Sequence, residues 1–135
     1  MPVPDLSTLI HAATDAANHA YVPYSHYKVG AALVTAEGDV FTGCNIENAS
    51  FPATICAERT ALVKAVSEGH RAFQQLVVAT RDGGSPCGVC RQMLFEFAPN
   101  LPIVLVRFDG TVTEQTVLSE LLLHGFGPSS VMPGL

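Results

Sequence analysis

The chain has 135 residues, 48% of them hydrophobic and only 14% charged, with 12 acidic against 7 basic side chains and a net charge of −5. That length fits a single domain, 1–135, able to bury roughly two-thirds of its unfolded surface, and the charge balance offers little attraction for a nucleic-acid backbone. Apolar runs such as Ile103 to Val106 fall far short of the roughly 20 residues of a membrane span. Met1-Pro2-Val3-Pro4-Asp5 lacks the basic start and apolar stretch of a secretory leader, so a cytoplasmic chain with reduced thiols is expected.

A helix is expected from about Asp5 to about His19, because Leu6, Leu9, Ile10, Ala13, Ala16, Ala17 and Ala20 recur at helical spacing. Asp5 or Ser7 can cap it and Pro23 stops it. His11 and His19 lie within or beside this pattern and carry no chemistry. Lys28 to Thr35 reads as a strand, Glu37-Gly38-Asp39 as a turn, and Val40 to Cys44 as the antiparallel partner. Cys44 ends that hairpin as a buried apolar thiol with no partner at ligand spacing. Asn45 to Thr54 is polar, aromatic and proline-containing, the composition of a loop that can carry binding groups.

Cys56 to Glu68 reads as a second helix, with Ala57, Ala61, Leu62, Ala65 and Val66 apolar and Gly69 as its stop. Gln74 to Thr80 is a short apolar strand, followed by the loop Arg81-Asp82-Gly83-Gly84. Ser85 is placed as the N-cap of a third helix with Pro86 at its first position, which puts Cys87 and Cys90 in the opening turns facing one point. Ile103 to Phe108 reads as a strand, Asp109-Gly110 as a turn and Val117 to Leu123 as a final helix. Helix, strand, strand, helix, strand, helix, strand is the order of an α/β fold, a mixed sheet with helices on its faces.

The chemistry converges on Cys56-Ala57-Glu58 and Pro86-Cys87-Gly88-Val89-Cys90. Three thiols cannot pair off as disulfides, but three thiolates leave one position of a tetrahedral zinc shell open, the arrangement of a catalytic site. Glu58 then reads as a proton carrier for water at that position. Two other readings stand at this point. A closed structural zinc site would take Cys44 as fourth ligand and leave Glu58 idle; a redox pair of Cys87 and Cys90 would leave Cys56, Glu58 and Asn45 unexplained.

These segments, together with Tyr21-Val22-Pro23-Tyr24-Ser25, Gly43-Cys44-Asn45-Ile46-Glu47-Asn48 and Cys56-Ala57-Glu58-Arg59-Thr60, resemble the zinc-dependent cytidine deaminases of the small, homotetrameric type. The resemblance implies a three-layer α/β/α fold with a central mixed five-stranded sheet, and one Zn2+ per subunit on Cys56, Cys87 and Cys90. It implies hydrolytic deamination of cytidine and deoxycytidine, in pyrimidine salvage, with Glu58 moving protons to ring N3 and to the departing amino group. Blasticidin S deaminases are the rival within the class, and the intact Asn45-Ile46-Glu47-Asn48 segment favours an ordinary nucleoside.

Residue by residue, the resemblance places Asn45 and Glu47 on the ribose hydroxyls, Tyr27 and Phe51 beside the base, and Ala57 backbone groups at the base edge. Tyr27 stands where the family usually has phenylalanine and Phe51 where it usually has tyrosine. Arg59 is implied to hydrogen-bond the ligand sulfurs, and Gln92 to support the site from behind. Phe126, in Leu121-Leu122-Leu123-His124-Gly125-Phe126, is implied to reach into a neighbouring subunit's site. The low charged fraction, against about 25% in ordinary globular chains, agrees with a homotetramer that covers part of each subunit's surface. The partners expected are a small nucleoside and further copies of the chain, with no nucleic acid and no membrane.

Overall fold

The computed structural model describes residues 3–132. Residues 1 and 2, on which the reading of a leaderless start partly rests, lie outside the described residues. The elements are α1 (Leu6–Ala17), β1 (Gly30–Thr35), β2 (Val40–Cys44), a 3-10 turn (Phe51–Ala53), α2 (Ala57–Ser67), β3 (Phe73–Thr80), α3 (Gly88–Phe95), β4 (Pro102–Arg107), β5 (Val112–Val117), α4 (Leu118–Leu121) and α5 (Pro128–Val131). Among the described residues no helix is long and apolar enough to cross a membrane.

The five strands form one mixed sheet in the order β2-β1-β3-β4-β5. Only β3 and β4 run parallel, joined by the crossover through α3. The three central strands are apolar almost throughout because both faces are covered. Ala31, Leu33, Leu76, Val78, Ile103 and Leu105 point to α2 and α3, meeting Ala61, Leu62 and Leu94. Their neighbours Ala32, Val34, Val77, Ala79, Val104 and Val106 point the other way and meet Leu9 and Ala13 of α1. Strand periodicity therefore builds the three-layer α/β/α arrangement directly.

Two expected helices differ in extent. Asp5 does cap α1, its Oδ1 accepting from the Thr8 amide at 2.9 Å, but the helix ends at Ala17, so Pro23 lies too far on to be its stop. The Val117–Leu123 helix shrinks to Leu118–Leu121, and Val117 closes β5 instead. That fifth strand, Val-Thr-Glu-Gln-Thr-Val, has no apolar alternation because it is an edge strand with its first four residues exposed. It is held by backbone pairing to β4 rather than by burial.

Two glycines let helices sit directly on the sheet. A Cβ at Gly30 would stand 1.8 Å from the Ala13 carbonyl oxygen, and one at Gly43 would stand 2.4 Å from the Ala57 carbonyl oxygen and 2.6 Å from the Ala61 amide. The second contact seats the start of α2 on the end of β2, and the Thr60 hydroxyl reinforces it by donating to the Cys44 carbonyl at 3.0 Å. Backbone cannot yield as a side-chain tip can, so Gly43→Ala is expected to cost about 1–3 kcal/mol, read as a Tm lower by several degrees. An unchanged Tm would show that α2 is free to shift.

Candidate active site

Both cysteine segments cap helices. Cys56 is the N-cap of α2 and Cys87 the N-cap of α3, each with extended backbone, while Cys90 lies in the first turn of α3. This corrects the placement of Ser85 and Pro86. Neither begins the helix, because Arg91 turns back over them, donating from Nε to the Pro86 carbonyl at 2.8 Å and from Nη2 to Ser85 Oγ at 2.7 Å. The cap position passes to Cys87, and its thiol still meets that of Cys90.

The Cys56 and Cys87 sulfurs are 3.7 Å apart and those of Cys87 and Cys90 3.4 Å apart; all three lie within 4.8 Å of one another. A tetrahedral shell with Zn–S bonds of about 2.3 Å separates its sulfurs by about 3.8 Å, so the donor set fits zinc. Cys44 is not part of the group, which leaves the closed structural site without its fourth ligand.

The three sulfurs share charge unevenly. The Cys56 thiol is pulled down to about 5, first by a hydrogen bond from Cys90 and also by Arg59, whose Nη2 lies 3.5 Å from the Cys56 sulfur. Cys90 is pushed upward, first by that bond to Cys56 and then by burial. Crowded sulfurs thus retain a proton where no cation is present, and a divalent ion replaces it. The positive ends of two helices favour the same charge. Glu58, in the first turn of α2, is only 3% exposed. Burial pushes its carboxyl up to about 7, and the negative Cys56 adds to the rise.

A cavity of about 300 Å3 brings Cys56, Cys87 and Glu58 together with Tyr27, Asn45 and Glu47. Asn45 is anchored to the chain leading into β1, accepting from the Val29 amide at 2.9 Å and donating to the Tyr27 carbonyl at 2.8 Å. Glu47 accepts from the amides of Tyr24 and Ser25 at 3.0 and 3.1 Å and from the Ser25 hydroxyl. Ala57 is fully buried, its carbonyl against Gly43.

Three of the expected substrate contacts, Phe51, Ala57 and Phe126, do not line this cavity. Phe51 is 69% exposed and meets Tyr24 edge-on, with ring centroids 5.7 Å apart, in a shallow depression shared with Glu47 and Thr54. Phe126 is 62% exposed. Gln92 does not face the sulfurs but donates to the Phe126 carbonyl at 2.8 Å, so its contact is with the segment that carries that ring.

Sequence reasoning passed over Arg91, Ser25 and Asp82. Arg91 follows a ligand candidate, and its Nη1 also donates to the Leu121 carbonyl at 2.6 Å, tying the cysteine loop to α4. Ser25 and Asp82 look like ordinary loop residues. Their partners, Glu47 and Tyr27, are 22 and 55 positions away, a distance no local pattern spans.

Soft ligands facing a cavity, with a buried carboxyl beside them, define a hydrolytic zinc site rather than a closed structural one. The chain belongs to the cytidine and deoxycytidylate deaminase family, whose zinc-binding region matches residues 4–105. It is 48% identical over 125 residues to the cytidine deaminase of Sporosarcina psychrophila, covering 90% of this chain and 91% of that one. It is 47% identical to that of Halalkalibacterium halodurans, over 90% of this chain and 94% of the other. Among solved structures, the cytidine deaminase of Burkholderia pseudomallei superposes with a TM-score of 0.86 at 45% identity, covering 91% of this chain and all of that one. That of Mycobacterium tuberculosis gives 0.80 at 38% identity, over 92% and 98%.

The purified protein is expected to carry one zinc per chain. Chelation should lower its Tm, because the unfolded chain has no assembled site and metal affinity adds to folding stability. Cys87→Ala should lose most of its zinc by atomic absorption; full retention would remove Cys87 from the ligand set.

Proposed function

We propose that the chain hydrolyses cytidine and deoxycytidine to uridine and deoxyuridine with release of ammonia, in pyrimidine salvage, in the cavity between Glu47 and the three cysteines. One observation carries this reading. Glu58 is a buried carboxyl in the same cavity as two of the three clustered sulfurs and the polar side chains of Asn45 and Glu47.

Zinc held by Cys56, Cys87 and Cys90 supplies the Lewis acidity that makes water a nucleophile at neutral pH. Glu58 takes the proton of the attacking water, delivers it to ring N3, and carries a second proton to the amino group as it leaves C4. The balance is one water in and one ammonia out. A carboxyl whose proton affinity is raised by burial serves both as base and as acid, so one residue performs both transfers. Arg59 offsets the charge of the sulfurs from outside their shell.

The sugar is held by Asn45 and Glu47. Asn45 uses one acceptor site and one amide hydrogen on the backbone, which leaves one of each for a hydroxyl; Glu47 keeps lone-pair capacity beyond the three bonds it accepts. Tyr27 walls the base, and Ala57 offers backbone groups to its edge. Phe51 and Phe126 act from the rim, Phe126 on a neighbouring subunit's site within a homotetramer, with Gln92 holding its segment in place. The exposure of both rings, and an apolar groove on α2 and α3 lined by Leu62, Val63, Val66, Met93 and Phe97, support that assembly. The setting is the cytoplasm, where thiols remain reduced.

Glu58→Gln is expected to retain zinc and Tm but to lower kcat on cytidine by at least about a hundredfold, measured as uridine formed. Near-normal turnover with zinc bound would remove Glu58 from the mechanism. Light scattering at micromolar concentration should give four chains per particle, and Phe126→Ala should raise KM for cytidine. An active monomer would defeat the assembly; an unchanged KM in a tetramer would defeat only the shared site.

A further inference from the structure

The Tyr27 side chain does more than line the cavity. Its hydroxyl donates to Asp82 Oδ1 at 2.5 Å, the length of a charge-assisted bond to a carboxylate. The same Oδ1 accepts from the Thr80 hydroxyl at 3.2 Å, and Thr80 Oγ1 in turn accepts from the Gly84 amide at 2.9 Å. The Arg81 guanidinium lies over the Tyr27 ring, 4.9 Å from its centroid. On the other side the Tyr27 amide donates to Ser25 Oγ at 3.0 Å, and the Ser25 hydroxyl donates to Glu47. Hydrogen bonds therefore run from Glu47 through Ser25 and Tyr27 to Asp82, Thr80 and Gly84, joining loops 22–27 and 81–84 around the cavity. Tyr27, Thr80 and Gly84 line it; Asp82 does not.

We propose that the Tyr27–Asp82 hydrogen bond is a latch across the cavity and that Asp82 is a positioning residue for nucleoside binding, acting through the Tyr27 side chain. This rests on the proposed deaminase reading of the same cavity. Directions of titration agree with an ionised acceptor and a neutral donor: the Tyr27 bond holds the Asp82 carboxyl below the usual range, and burial raises the Tyr27 phenol. The loop does not depend on the latch alone. Thr113 Oγ1 of β5 lies 3.1 Å from both the Gly83 and Leu105 carbonyls, and a Cβ at Gly83 would stand 2.4 Å from Thr113 Cγ2. Breaking the latch thus frees the Tyr27 ring while loop 81–84 stays on β5 and Cys87 keeps its place.

The test is cytidine kinetics of Tyr27→Phe, Asp82→Ala and the double variant, with zinc content and Tm measured for each. Each single change is expected to raise KM roughly tenfold, the worth of one such bond, with kcat and zinc held, the pattern of lost ground-state binding. The double variant should be no worse than the poorer single one, since both remove the same interaction. Unchanged KM with a lower Tm would make the latch merely structural and overturn the proposal, as would fully additive effects. The uridine Kd of Asp82→Ala by calorimetry gives a second route where Tyr27→Phe folds poorly; a weaker Kd supports the latch and an unchanged one overturns it. A wild-type protein that neither turns over cytidine nor binds uridine overturns the deaminase reading itself, whereas an active wild type with unmoved KM in both variants overturns the latch alone.

Discussion

Three sulfurs and a carboxyl, all inclined to carry negative charge, are gathered at one end of a largely apolar domain. Such a gathering is unfavourable unless positive charge meets it, and the fold supplies positive charge from three directions. Two helix N-termini point at the cluster, the Arg59 side chain reaches Cys56, and the spacing of the sulfurs suits a divalent ion. Helix placement is therefore the constraint on which the rest depends. α2 arrives because Gly43 lets the Ala57 and Ala61 backbone touch β2; α3 arrives because it is the crossover between parallel β3 and β4. The site then falls beyond the carboxyl end of β3, where open α/β sheets leave a crevice.

Polar residues around the cavity are mostly committed to the backbone. Asn45 bonds both flanks of residue 28, and Glu47 closes the loop at residues 24 and 25. Each bond removes rotamer freedom from a side chain before any ligand enters, which lowers the entropic cost of binding. Loops so constrained can hold binding groups almost as firmly as strands do, although their sequence carries no regular pattern.

That difference sets what could be read from the sequence. Central strands were legible because burial on both faces forces continuous apolar runs, and the metal cluster was legible because cysteine spacing near helix starts is local chemistry. β5 was not, since an edge strand held by backbone pairing needs no apolar alternation. Ser85-Pro86 carries a good local start signal, yet the Arg91 side chain takes up the Pro86 carbonyl and the Ser85 hydroxyl five and six residues back, and the cap falls at Cys87. Asp82 was invisible for a different reason: the role proposed for it rests on a tyrosine 55 positions away in the chain. The fifth strand, and the roles proposed for Asn45, Phe51 and Phe126, came from family resemblance alone, since nothing in their spacing announces them.

Burial is uneven around the cavity, and the unevenness has a physical reading. Glu58, Cys90 and Val78 are buried or nearly so, whereas Cys56 is half-buried and Cys87 exposed, so the carboxyl sits at lower dielectric than the mouth of the sulfur cluster. Away from the sulfurs Tyr24 and Phe51 meet edge-on beside Glu47, and Phe126 lies on the segment held by Gln92 of α3; each of the three rings is more than half exposed. Rings of that size left in water forgo roughly 1.5–3 kcal/mol apiece of burial energy, and a soluble monomer rarely clusters them without use. The sulfurs and the carboxyl are therefore gathered within one chain, while the rings of Tyr24, Phe51 and Phe126 stay open to water.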